Sequence, residues 1–138
     1  MNKIDILKHY FGYNSFRQSQ EAIIDHTISG GDSLVLMPTG GGKSLCYQIP
    51  ALYLPGTALV ISPLISLMKD QVEALRANGI EAEALNSGND MNADTIIRRK
   101  CLSGQLKLLY ISPEKLLSET DYLLKHINIS LFAIDDDV

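Results

Sequence analysis

The 138-residue chain is predicted to be an α/β protein, a mainly parallel sheet flanked by helices. Three observations predict this. Four short apolar runs, Leu34 to Met37, Ala58 to Ile61, Leu108 to Ile111 and Leu131 to Ile134, are nearly continuous rather than alternating, as in strands covered on both faces. Segments with helical periodicity lie between them. An Ile-Ser-Pro step occurs at Ile61 to Pro63 and again at Ile111 to Pro113, each time after an apolar run and before a helical segment.

The elements follow in order. Ser15 and Gln18 have the spacing of a capping box for a helix through about Ile28, so residues 1–30 form a helical segment ahead of the first strand, Leu34 to Met37. Leu45-Cys46-Tyr47-Gln48 begins the next helix. After the strand at Ala58 to Ile61, the segment Leu64 to Asn78 carries a stripe of Leu64, Leu67, Met68, Val72 and Leu75, and Asn78-Gly79 ends it. A weaker strand is expected at Ala82 to Leu85. Asn92 to Ser103 is a further helix, with Ile96, Ile97 and Leu102 apolar and Arg98-Arg99-Lys100 read as a solvated face rather than a nucleic-acid patch. At both Ile-Ser-Pro steps, Ser suits the N-cap and Pro the first helical position. With Met37-Pro38-Thr39, three such junctions would crowd the carboxyl edge of the sheet, where open α/β folds bind ligands.

Composition narrows the class. The chain is 46% hydrophobic and 20% charged, which fits a globular protein, and no apolar run approaches the roughly eighteen residues of a membrane span. The first residues lack the apolar core of a signal peptide, and a cytoplasmic location is expected. A net charge of −4 argues against gripping nucleic acid by bulk electrostatics, although a motor touching one strand through a few groups is compatible with it. Cys46 and Cys101 have no ligand-spaced partners, so two buried reduced thiols are expected and no zinc.

The strongest chemical signal is Met37-Pro-Thr-Gly-Gly-Gly-Lys-Ser44, between an expected strand and an expected helix. Gly40, Gly41 and Gly42 let the backbone curl with its N–H groups inward, and no side chain blocks an approaching phosphate. Lys43 can set a positive charge on the terminal phosphates, and Ser44 can offer its hydroxyl to Mg²⁺. The helix N-terminus behind them adds favourable partial charge. The pattern departs from the strict phosphate-loop form in one place, where Met37 stands for the first glycine.

From this loop outward the chain resembles the RecQ family of DNA helicases. The resemblance is carried by Phe11 to Gln20, Met37 to Ser44 with Leu45 to Pro50, Ser62 to Gln71, Leu85-Asn86-Ser87, Tyr110 to Glu114 and Ile134-Asp135, in order and over nearly the whole chain. It implies a RecA-like ATP-binding domain spanning residues 1–138, with an adenine pocket in 1–30 formed by Tyr13, Arg17 and Gln20. Thr39, Gly40, Gly41, Gly42, Lys43 and Ser44 then hold the ATP phosphates, and Ser44 and Asp135 hold Mg²⁺. An aromatic face can stack on the base, and a side-chain amide such as that of Gln20 can pair with adenine. Phe16 is better read as a core residue beside the helix. The resemblance further implies contact with single-stranded DNA through Ser62, Pro63, Ser66, Lys69, Gln71 and Asn86. Ser112, Pro113 and Glu114 look like a second strand-contact motif. Free N–H groups at a helix start suit a phosphate.

One departure falls on the catalytic motif. The family carries Asp-Glu-Ala-His after the last strand, whereas here the residues are Asp135-Asp136-Asp137-Val138. Lys43, Asp135 and Asp136 are the candidate catalytic residues. An Asp carboxylate at 136 sits one methylene, about 1.5 Å, short of a Glu. A misplacement of about 1 Å costs on the order of a hundredfold in rate.

The resemblance also implies a second RecA-like domain with an arginine finger, and zinc-binding and winged-helix modules, none of them in these residues. The domain is therefore expected to be incomplete at its C-terminus, with an exposed sheet face or edge. The family function is ATP-dependent DNA unwinding, with 3′-to-5′ polarity implied by the family only. By itself the chain is expected to bind Mg·ATP and single-stranded DNA with little or no turnover. The alternatives are an inactive nucleotide- or DNA-binding module and a remnant without activity.

Overall fold

The computed structural model describes residues 2–17, 20–30, 44–86 and 91–134. The expected strand Leu34 to Met37, the phosphate loop through Lys43 and the acids from Asp135 onward lie outside the described residues. The chain divides into two compact units, one running up to Pro55 and the other beginning at Gly56.

The first unit is helical. Asn2 caps α1 (Lys3–Ile6) by accepting the Asp5 amide at 2.9 Å, and the chain passes directly into a π-helical turn, Leu7–Phe11. Gly12, at φ 76°, closes that turn in a left-handed conformation that costs glycine nothing. Helices α2 (Gln20–Ile28) and α3 (Leu45–Tyr53) follow. Ile6, Leu7, Ile24 and Ile49 form the buried centre, with Phe11, Phe16, Ile28 and Leu52 packed around it. Phe16 is thus a core residue, as read from the sequence. Lys3 ties α1 to α2 through ion pairs with Glu21 and Asp25.

Helix α2 starts later than Ser15 and Gln18 predict. Ser15 is an exposed bend, and the cap is built by Arg17 and Gln20 instead: the Gln20 amide donates to the Arg17 carbonyl at 2.9 Å, while Gln20 Oε1 accepts the Arg17 amide at 2.8 Å. The reaching-back half of a capping box is satisfied, two residues further along.

The second unit is a four-stranded parallel sheet in the order β2-β3-β1-β4, with β1 Thr57–Ile61, β2 Ala82–Leu85, β3 Leu108–Ile111 and β4 Ile129–Ile134. The expected strands at 58–61, 82–85 and 108–111 are all present, and the last begins two residues before Leu131. Helices α4 (Ile65–Ala77), α5 (Met91–Ser103) and α6 (Pro113–His126) complete the alternation. All four positions of β3 are buried, as near-continuous apolar runs require of an inner strand. On one side Leu59, Leu109, Ile111 and Leu85 meet Ile97 and Cys101 of α5 and Leu123 of α6.

Gly56 marks where β1 passes closest to the start of β4. The Thr57 amide donates to the Asn128 carbonyl at 2.8 Å, and a Cβ on Gly56 would collide with that same carbonyl oxygen. Thr57 Oγ1 also donates to the Leu106 carbonyl at 2.7 Å, pinning the neighbouring strand.

The two outer strands differ. The carboxylate of Glu83 on β2 is paired by Arg76 of α4 and Lys100 of α5, whereas β4 carries no charged residue and leaves Phe132 57% exposed. Among the described strands β4 is an outer one. The run Arg98 to Lys100 is not simply solvated. Arg98 is paired with Glu119, which raises its pKa, and its guanidinium lies over the Tyr122 ring; Lys100 is held by Glu83. Cys46 and Cys101 are buried free thiols.

Candidate functional site

Because β1, β2 and β3 are parallel and in register, with Ile61 and Leu85 both beside Ile111, the residues that follow them come together at one edge. These are Ser62, Asn86 and Ser112. The ladder continues through their backbones, since the Ser62 amide donates to the Ile111 carbonyl at 3.0 Å and the Ser112 amide to the Leu85 carbonyl at 3.2 Å. All three are nearly covered, at 2%, 1% and 1% exposure. The sequence assigned them to a nucleic-acid strand, and the fold places them as the buried floor of the carboxyl edge. Pro63, Ser66, Lys69 and Glu114 stand exposed above it, with Gln71 and Pro113 half-buried.

The two Ser-Pro steps, identical in sequence, diverge in structure. At α6 the expectation holds: Ser112 is the N-cap, its hydroxyl accepts the Lys115 amide at 3.4 Å, and Pro113 occupies the first helical position. Glu114 lies in that first turn, where an acid is favoured by the helix dipole. At α4 the expected Ser62 cap does not form. The N-cap is Leu64, which makes no side-chain capping bond, and the helix begins at Ile65. The residues after Pro63 are Leu64 and Ile65, which bring no first-turn acid, so nothing favours an earlier start.

The consequence is electrostatic. The first intrahelical bond of α4 comes from Met68 to the Leu64 carbonyl, so the amides of Ile65, Ser66 and Leu67 have no acceptor within the helix. Ser62 Oγ is buried and has no hydrogen-bond partner among the described residues. In α6, by contrast, Pro113 has no N–H and the Lys115 amide is capped. The α4 start therefore offers an anion more unspent donors, beside the exposed hydroxyl of Ser66 and ammonium of Lys69.

Of the nucleotide-binding candidates, Tyr13 is half exposed, Arg17 is exposed, and Gln20 is buried with Oε1 engaged by the Arg17 amide. Ser44 precedes α3 in a helical conformation. Its carbonyl accepts the amides of Tyr47 and Gln48, and its side chain makes no capping bond. Thr39, Gly40, Gly41, Gly42, Lys43, Asp135 and Asp136 lie outside the described residues.

Sequence reasoning missed the Arg17–Gln20 cap, and the ion pairs that join α5 to α6. The first was legible as a three-residue spacing with Gln at its end. The second, pairing residues twenty-one apart, leaves no local signal.

Comparison with known proteins bears on the family and the fold. The family described as DEAD/DEAH box helicase matches residues 17–136. The ATP-dependent DNA helicase RecQ of Pasteurella multocida (strain Pm70) is 56% identical over 134 residues, covering 96% of this chain and 21% of that protein. The protein of the same name from Bacillus subtilis (strain 168) is 52% identical, covering 95% of this chain and 22% of its own length. A hypothetical ATP-dependent RNA helicase from Sulfolobus tokodaii, known from its crystal structure, superposes with a TM-score of 0.73 at 19% identity, over 100% of this chain and 51% of that one, a likeness of fold. The chain thus spans about a fifth of the length of the curated relatives it matches. It belongs to the DEAD/DEAH box helicase family, has that family's RecA-like α/β fold, and over these residues is similar to RecQ helicases.

Proposed function

We propose that the chain is an ATP-binding segment of a RecQ-type DNA helicase, and that the carboxyl edge of its sheet takes the backbone of single-stranded DNA. The observation that carries the strand reading is the start of α4. Three helix amides lack intrahelical acceptors, Ser62 Oγ is buried without a partner among the described residues, and Ser66 and Lys69 are exposed beside them. A phosphate there would receive hydrogen bonds from backbone groups whatever the base sequence. The likeness to ATP-dependent DNA helicases supports the same reading.

Nucleotide binding falls to the loop Thr39 to Ser44. On this reading Lys43 would supply positive charge to the terminal phosphates, Tyr13 would stack on the base, and Arg17 and Gln20 would border it. Ser44 and Asp135 would hold Mg²⁺, which supplies positive charge to the phosphates. The Ser44 hydroxyl, which makes no capping bond to α3, supports that role. Asp136, in place of a Glu, favours binding with little turnover. Hydrolysis coupled to unwinding then requires the second RecA-like domain of a complete helicase, in the cytoplasm.

The test is titration of a fluorescent ATP analogue with and without Mg²⁺, and of a labelled oligothymidylate, on the chain and its Lys43→Ala variant. Saturable nucleotide binding lost in the variant, with oligothymidylate binding retained, is expected. A folded chain that binds neither ligand refutes the proposal. Rapid phosphate release by this chain without other domains would refute the reading of Asp136.

A further inference from the structure

Four charged side chains join the first two turns of α5 to the first two turns of α6. Asp94 and Glu119 are both less than a tenth exposed. Lys115 Nζ lies 2.8 Å from Asp94 Oδ2 and 4.0 Å from Glu119, and Arg98 completes the group by pairing with Glu119. The other carboxylate oxygen of Asp94 is buried and has no hydrogen-bond partner among the described residues. The ammonium of Lys115 is the ion-pair partner of Asp94 among the described residues, and the Arg98 guanidinium lies near enough to be stabilised by the same carboxylate.

Lys115 is held at both ends. Its amide is bound by the Ser112 hydroxyl at 3.4 Å, a long cap, and its ammonium by a carboxylate on another helix. Between Ser112 and Lys115 lie Pro113 and Glu114, the residues that α6 presents at the carboxyl edge. The Ser112 amide ties the start of α6 to β2 and the Leu116 amide closes its first turn on the Ser112 carbonyl, so with a long side-chain cap the Lys115–Asp94 ion pair adds the restraint from α5. A buried, charge-assisted contact has a narrow range of geometries and transmits displacement of one helix to the other.

We infer that Asp94 is a positioning residue, which acts through Lys115 to fix the first turn of α6 and with it the place of Pro113 and Glu114 against a bound strand. This rests on the reading that the carboxyl edge takes single-stranded nucleic acid. Lys115 is engaged by carboxylates and does not itself bind phosphate.

The test is binding of a fluorescein-labelled oligothymidylate over a range of salt concentrations, with a fluorescent ATP analogue as internal control. It compares the chain with Asp94→Asn, Lys115→Gln and the double variant. Each single variant is expected to bind the oligonucleotide about tenfold more weakly, the order of one lost charge-assisted contact. The double variant should be no weaker than either single one, because both break the same link. The salt dependence and the affinity for the ATP analogue should stay as in the parent. Three results overturn the inference: additive losses, a salt slope reduced by about 0.7 in Lys115→Gln as for a direct phosphate contact, or an equal loss of nucleotide binding, which signals general unfolding. If those appear while the parent binds DNA, this inference alone fails. A parent that binds no oligothymidylate removes the strand reading, and this inference with it.

Discussion

Gln20 Oε1 accepts the backbone amide of Arg17 at 2.8 Å, so a residue assigned from the sequence to base recognition also closes the start of α2. The reciprocal bond from the Gln20 amide to the Arg17 carbonyl makes the pair a small closed loop at the start of α2. One side chain then serves both the local fold and, on the proposed function, the pocket. Replacing Gln20 with Ala should cost about 1 kcal/mol of stability through loss of the cap. It should also weaken preference for adenine over guanine nucleotides. Urea denaturation without nucleotide and competition between ATP and GTP read the two effects separately. Unchanged stability would show that the cap contributes nothing.

Gly56 has the clearest backbone requirement. Its φ of 107° is outside the range of L side chains, and a Cβ would strike the Asn128 carbonyl that also receives the Thr57 amide. Gly56→Ala should destabilise the chain by about 2 kcal/mol or more, since strain and the loss of the entry bond between β1 and β4 act together. The urea midpoint measures this. A shift within error of the parent would contradict the close approach.

The two helix starts should separate in solution. Lys69 is exposed on the second turn of α4, and Lys69→Ala should weaken oligothymidylate binding and reduce its salt slope by about 0.7, the value for one phosphate on a single strand. Ser112 is buried and spends its hydroxyl on Lys115, so Ser112→Ala should cost about 1 kcal/mol of stability and leave the slope unchanged. The reverse pattern would move the phosphate seat from α4 to α6.

Burial pushes the Cys101 thiol up from 9.0 to about 11. The folded state thus holds the neutral thiol where the unfolded chain would release its proton. The resulting stabilisation is fully present below pH 9 and is lost as pH rises from 9 towards 11. Over that window the unfolding midpoint should fall more steeply in the parent than in Cys101→Ala. At pH 8 a folded sample should react slowly with iodoacetamide at this position. Equal slopes in parent and variant would mean that the thiol is not shielded.

The sequence by itself determined the alternation of strands and helices, because near-continuous apolar runs and helical stripes are local properties of the chain. It located β2 and β3 to the residue. It also supplied the family, because motifs such as Ser62 to Gln71 keep their residue types in order. It could not tell the two Ser-Pro steps apart. Whether Ser62 or Leu64 caps α4 depends on the residues that follow and on the neighbours of the hydroxyl, and only the assembled sheet edge decides that. The sequence set the Ser62 and Ser112 junctions at one sheet edge, but not Asn86 beside them, nor the burial of all three. Parallel register with Ile111 brings them together across more than twenty residues of intervening chain at each step. The link from Asp94 to Lys115 has the same origin. A pair formed between two helices depends on how each packs on the sheet, and no spacing within either helix encodes it.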